Sequence, residues 1–132
     1  MAIGIDKGLG IHPHALLARE ARATVLASNI ANADTPGYKA KDINFQDALQ
    51  RVQSRSGYSM SRTHSKHFEL DLQANNREQY RVPDQPDTGD GNTVDVQVER
   101  NLYMRNSMEY QASLQFLNDR ISGMKKAITG GR

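Results

Sequence analysis

The stretch Ser28-Asn29-Ile30-Ala31-Asn32-Ala33-Asp34-Thr35-Pro36-Gly37-Tyr38-Lys39 closes one long helix and opens an extended segment, and the fold is read outward from it. Upstream, Leu9, Leu16, Ala23 and Ile30 recur at every seventh position, with Leu26 and Ala33 in the intermediate turns, so an apolar stripe runs along a helix into Asn32. Pro36 drives Thr35 out of the α region and cannot extend the hydrogen-bond ladder, while Gly37 accepts a positive φ. Thr35-Pro36-Gly37-Tyr38 therefore reads as a type II turn. Asn29 and Asn32 lie three apart on one helix face beside the stripe, where amides bond either the last helical carbonyls or a neighbouring chain. Local chemistry alone also fits an ordinary helix stop with solvated asparagines.

Toward the N-terminus, Pro13 suits the first turn of a helix, where its missing N–H costs nothing, so the first long helix starts near His12 and ends around Asn32 to Asp34. That is about 20 residues, or roughly 30 Å. Met1 to Ile11, with Gly4, Gly8 and Gly10, reads as a mobile lead-in or a fragment of helix that orders only on contact, and Arg19, Glu20 and Arg22 as a solvated face. Beyond the turn, Tyr38 to Ile43 reads as extended. Asn44 then caps a short helix carrying Phe45, Ala48, Leu49 and Val52 on one side, finished by the polar Ser54 to Ser61. Phe68, Leu70 and Leu72 alternate with Glu69 and Asp71 as a strand, and Gln79 to Val82 forms a second that pairs with it across Ala74 to Arg77. Pro83 to Asn92 is a loop. Thr93 or Asp95 caps a second long helix from about Val94 to Ile128. Its register places Tyr103, Tyr110, Leu117 and Met124 seven apart, with Leu114, Ile121 and Ile128 between them. Ahead of Tyr110 the seam weakens, because Arg100 and Ser107 hold the equivalent positions.

The expected fold is thus mainly α. Long helices stand at both ends, and a loop-rich middle carries a short helix and a small β-hairpin. The chain divides into segments 1–39, 40–93 and 94–132 of one domain. The helix lengths matter, because about 35 residues overhang about 20 by roughly 20 Å, and an overhanging apolar stripe calls for another subunit.

Composition points the same way. Of 132 residues only 37% are hydrophobic and none is Trp, so the polar middle supplies little core and the helices look outside for partners. Seventeen Lys and Arg stand against fifteen Asp and Glu without a dense basic block, which argues against a nucleic-acid partner. With no Cys there are neither disulfides nor thiolate metal sites. No apolar run approaches the roughly 18 residues that span a bilayer, and Met1 to Gly10 lacks the build of a cleaved signal peptide.

Chemistry-bearing constellations are thin. His64 and His67, and likewise His12 and His14, offer pairs without a third ligand and read as solvated histidines. Asp84, Asp87 and Asp90 suggest a calcium loop, but framing it on Gly89 or Gly91 puts Pro86 at a ligand position either way. No phosphate-binding glycine loop, dinucleotide fingerprint, serine elbow or cysteine nucleophile is present. The expectation is no catalytic residue, no cofactor, no metal and no small-molecule substrate.

Asn29-Ile30-Ala31-Asn32-Ala33-Asp34-Thr35-Pro36-Gly37-Tyr38-Lys39 resembles the N-terminal signature of the flagellar rod, hook and hook-associated axial proteins, and Ala40 to Phe45 is most similar to the proximal-rod members. Gly91-Asn92-Thr93-Val94-Asp95, Asn106-Ser107, Tyr110-Gln111 and Ser122-Gly123-Met124-Lys125 are similar to the family's C-terminal helix, while Ser54 to Lys66 carries no match. The resemblance implies terminal helices associating as an inner coiled-coil-like layer with the middle segment outside. It implies a structural, torque-transmitting subunit of the periplasm-spanning basal-body rod. Implied partners are copies of itself, other rod proteins, the membrane ring or its adaptor, and the flagellar type III export apparatus, through which the family leaves the cytoplasm without a cleaved signal. The expected interface residues are Leu16, Ala23 and Ile30 with Tyr110, Leu114, Leu117, Ile121 and Met124 along the seams. Asn29, Asn32, Thr35, Pro36, Gly37 and Tyr38 set the exit geometry. A soluble helical adaptor, or a chaperone-like module that holds another protein's amphipathic helix, is the alternative reading.

Overall fold

A computed structural model of the chain describes residues 8–55, 78–85 and 89–130. Among these residues three helices and two short strands follow in the order α1 (His12–Ala31), β1 (Lys41–Asp42), α2 (Phe45–Arg55), β2 (Gln79–Tyr80) and α3 (Val96–Ile128). The molecule is mainly helical, as expected, with the long helices at its two ends.

The local signals act where the residues place them. Pro13 sits in the first turn of α1. After the helix, the Tyr38 N–H donates to the Thr35 carbonyl at 3.3 Å and Gly37 has φ +73°, which is the expected turn. Asn44 Oδ1 accepts from the N–H groups of Gln46 and Asp47 at 3.0 and 3.3 Å and opens α2, with Phe45, Ala48, Leu49 and Val52 half-buried. Asp95 Oδ1 accepts from Gln97 and Val98 at 3.0 and 3.3 Å and opens α3, leaving Val94 outside the helix as a buried side chain.

Four expectations change. First, β2 pairs antiparallel with β1, Lys41 opposite Tyr80 and Asp42 opposite Gln79. The Arg81 N–H extends the ladder to the Ala40 carbonyl at 2.9 Å. The strand expected over Phe68 to Leu72 lies outside the described residues. β1 is available because the turn delivers Tyr38 to Asp42 extended, with backbone groups that need partners.

Second, the overhang of α3 is partly covered. Asn29 meets Glu99, Arg19 meets Glu109, the His12 ring lies 6.5 Å from Phe116, and the Gly8 carbonyl accepts from Arg120 at 2.8 Å. Residue numbers fall along one helix as they rise along the other, so α1 and α3 pair antiparallel without a slip. Gly8 and Leu9 are helical and carry the pairing toward Met124, so the lead-in is ordered at least from Gly8. α3 still runs from Leu117 to Ile128 past the start of α1, roughly 18 Å, and Gly8 and Leu9 lie against the first part of that stretch.

Third, the face of α1 turned to the interior is Ala15, Ala18, Val25, Leu26 and Asn29, so that of the expected stripe only Leu26 is fully interior. Leu16, Ala23 and Ile30 flank it and are half-buried. Small Ala15 and Ala18 let the helices approach closely, and the larger stripe residues fall to one side. Fourth, Arg19 and Arg22 are not solvated. Their side chains are 13% and 18% exposed because both are paired. The core is completed by Ala40, Ile43 and Val94, which tie the segment after the turn and the lead-in to α3 onto the helices.

Candidate functional site

Two features occupy opposite roles in this hairpin of helices: a buried polar junction that fixes its geometry, and an apolar face that nothing in the described residues covers.

The junction is built around Asn29, which has no solvent exposure. Its Nδ2 donates to the Lys41 carbonyl at 2.7 Å and to Glu99 Oε2 at 3.0 Å, and its Oδ1 accepts from the Lys41 N–H at 3.1 Å and the Tyr38 hydroxyl at 3.3 Å. One amide therefore joins α1, β1, the turn and α3. Arg81 donates to Glu99 Oε1 and reaches Asp42 Oδ2 at 3.1 Å, while Arg22 forms a fork on Asp42 at 2.9 and 3.0 Å. Burial alone pushes the Asp42 carboxyl up. The hydrogen bonds and charge of Arg22, with the Ile43 N–H and the charge of Arg81, outweigh it and hold the group below the ordinary carboxylate value. Two guanidiniums and two carboxylates thus balance inside a crossing of four chain segments.

A second amide, Asn92, holds the end of α1. Its Nδ2 donates to the carbonyls of Asn32, Ala33 and Thr35 at 3.1, 2.8 and 2.9 Å, satisfying groups that a helix end leaves open. The Gly37 N–H donates to the Asp90 carbonyl at 2.9 Å, Thr93 N–H to the Tyr38 carbonyl at 3.0 Å, and Ala40 N–H to Thr93 Oγ1 at 2.8 Å. The turn is consequently clasped by the lead-in to α3. Asn32 bonds its own helix, donating to the Ser28 carbonyl at 2.8 Å, and accepts from the Thr35 hydroxyl at 3.2 Å.

Farther along, Arg19 donates to Ser113 Oγ at 3.2 Å and to Glu109 at 2.5 Å, with Phe45 of α2 under its guanidinium at 4.0 Å. Burial raises the Glu109 carboxyl, but Arg105 and Arg19 together bring it below its usual value.

The apolar face lies beside this polar line. Tyr103, Tyr110, Leu114 and Ile121 are 39%, 36%, 41% and 45% exposed. Tyr103 and Tyr110 line a groove of about 320 Å³ with Arg19, Glu20 and Ala23 of α1. The stripe of α1 and the seam of α3, read separately in the sequence, therefore meet along one side of the helix pair. Of the residues singled out in the sequence, Tyr110, Leu114 and Ile121 are exposed, while Leu16, Ala23, Ile30, Leu117 and Met124 are half-buried at the margin. Thr35, Pro36 and Gly37 are exposed, Asn32 and Tyr38 half-buried, and Asn29 is wholly interior. Sequence reasoning missed Arg22, Asp42, Arg81, Asn92 and Glu99. Of these only Arg22 had an advance sign, in spacing: Ala15, Ala18, Arg22, Val25 and Asn29 step by three and four, a core-facing pattern with polar residues in it.

A helical architecture with an apolar side that nothing among the described residues covers describes an assembly subunit, and the comparisons agree. Residues 10–39 match the family described as flagella basal body rod protein. The chain is 58% identical over 130 residues, 98% of each sequence, to the flagellar basal body rod protein FlgB of Aeromonas hydrophila. It is 42% identical to that of Escherichia coli K12, with 96% of each chain covered, and 44% identical to that of Cereibacter sphaeroides over 96% of this chain and 98% of the relative. The chain belongs to the FlgB family of flagellar basal body rod proteins, a family of structural subunits rather than of enzymes.

Proposed function

We propose that this structural subunit is built into the basal-body rod through the side of the helix pair that carries Tyr103, Tyr110, Leu114 and Ile121. Leu16, Ala23, Ile30, Leu117 and Met124 flank the contact. Asn29, Asn32, Thr35, Pro36, Gly37 and Tyr38 fix where the middle segment leaves it. One observation supports this most: four large apolar side chains in a row on α3 stay more than one-third exposed, while the same helix buries Glu99, Asn106 and Ser113. A helix that hides polar groups and shows apolar ones is inverted for a lone molecule and suited to a packed one.

In this reading 1–39, 40–93 and 94–132 act as one domain, the end segments forming the axial layer and the middle lying outside it. Repeated contacts that do not close on themselves build an open filament. Stiff helices side by side then transmit torque between the membrane ring or its adaptor and the next rod proteins. Copies of the chain and its rod relatives are the partners, delivered by the flagellar type III export apparatus. Near-full-length identity to rod proteins favours this over the adaptor alternative.

The test uses Leu114→Asp and Ile121→Asp. Both side chains are already exposed, so the isolated protein should stay within about 0.5 kcal/mol of the parent. In cells lacking the native copy, each variant should be exported but fail to support rods and swimming. Normal rods and motility with both variants would remove the interface from consideration.

A further inference from the structure

The residues of α3 that face α1 are polar at every seventh position: Glu99, Asn106 and Ser113 are 1%, 1% and 9% exposed. Each rung has its own chemistry. Glu99 takes the Asn29 amide, Asn106 donates to the Arg19 carbonyl at 2.9 Å, and Ser113 accepts from Arg19 Nε. Asn106 Oδ1 is buried without a hydrogen-bond partner among the described residues. Replacing both members of such buried pairs by apolar residues of similar volume is often neutral or stabilising, so stability alone does not call for polar rungs.

What the apolar pattern lacks is a single alignment. Leu9, Leu16, Ala23 and Ile30 repeat every seven residues, as do Tyr103, Tyr110, Leu117 and Met124. Sliding one helix by seven residues re-pairs stripe with stripe along the flank of the helix pair, so the stripes by themselves do not choose between alignments. The polar rungs do not survive the slide. In one direction Glu99 passes Ala31, the end of α1. In the other, Asn29 comes opposite Asn92, ahead of the first turn of α3. Either slip takes the Glu99 carboxylate from Asn29: the first leaves it beyond the helix end, and the second sets it opposite Arg22, whose guanidinium is already forked on Asp42.

We infer that Glu99, Asn106 and Ser113 are a register code, selecting one of several axial alignments that the heptad stripes permit. Polar residues at single core positions of helical pairs act in this manner, exchanging stability for a unique alignment. The code operates within one chain and stands or falls independently of which neighbour covers the apolar face.

The chain has no Cys, so thiol pairs report register cleanly. His12→Cys with Phe116→Cys marks the observed alignment, and His12→Cys with Gly123→Cys marks a slip of one heptad. Each pair is treated with a short bifunctional thiol cross-linker at high dilution, where only intramolecular products form. In the parent background the 12/116 pair should cross-link at least tenfold faster than 12/123. With Glu99→Leu, Asn106→Leu and Ser113→Leu combined, helix content by circular dichroism should persist and the preference should fall below threefold. A tenfold preference retained in that folded variant overturns the inference. Should the triple variant lose its helices, Asn106→Leu with Ser113→Leu decides: a preference reduced at least threefold supports the code, and an unchanged one overturns it.

Discussion

Replacing Asn29 tests whether one amide holds the crossing of four segments together. Asn29→Ala removes four hydrogen bonds at 2.7 to 3.3 Å and opens a small space beside Leu26, which is itself fully buried. It strands the carbonyl and N–H of Lys41 and one oxygen of Glu99. At about 1 kcal/mol for each backbone group and about 2 for the charged one, the loss is about 4 kcal/mol. Against the roughly 5–15 kcal/mol that stabilise a folded domain, that is a large share. For a chain of this size it lowers the melting midpoint by roughly 15 °C. Asn29→Asp sharpens the test, because it keeps the acceptor for Lys41 and Tyr38 but sets a carboxylate where the amide stood 3.0 Å from Glu99. Two carboxylates that close do not both ionise readily, so the pair holds a proton more tightly in the folded state than in the unfolded one. A raised folded pKa means that the defect is largest at neutral pH and shrinks as the pH falls toward the ordinary carboxylate range. Denaturant unfolding followed by far-ultraviolet circular dichroism measures both variants against the parent at about pH 7 and about pH 5. A loss under about 1 kcal/mol for Asn29→Ala, or an Asn29→Asp deficit equal at the two pH values, would refute the assignment.

Three further outcomes follow from the same geometry. Asp42, held below its usual pKa, contributes stability that is complete above about pH 4, the unfolded carboxylate value, and is lost as the pH drops through the folded one. Asp42→Asn should cost about 2 kcal/mol near neutrality, after allowance for its partial exposure, and flatten the acid limb of the stability profile. Asn92→Ala should cost about 2 kcal/mol by removing three hydrogen bonds to the carbonyls of Asn32, Ala33 and Thr35 and the acceptor of the Val94 N–H. Amide hydrogen exchange should show the loss concentrated at Gly37 and Thr93. Gly37→Ala meets no atom within 4 Å, so its penalty comes from the φ of +73° alone and should be about 1 kcal/mol in thermal unfolding.

Much of the framework could be read directly because it is locally encoded. Pro13, Asn44 and Asp95 start helices by chemistry that acts within a turn, and Pro36 with Gly37 makes its bend whatever lies around it. The strand partner of Gln79 and Tyr80 was not local, so alternation alone pointed to the nearest apolar run rather than to Lys41 and Asp42. The face of α1 was misjudged for a related reason. Periodicity ranks residues by hydrophobicity, yet α1 turns Arg22 and Asn29 inward because Asp42 and Glu99 await them there. No single stretch carries both halves of such a pair.

The amino-acid sequence by itself therefore determined the helices, their caps, the turn between Thr35 and Tyr38, and the excess of apolar surface at the two ends. Only the tertiary structure decided which side of each helix is interior. Backbone signals act over three or four residues, whereas the burial of Asn29 and Glu99 depends on partners 12 and 70 positions away in the chain. Bringing those polar groups together at the centre is what leaves Tyr110, Leu114 and Ile121 on the outside.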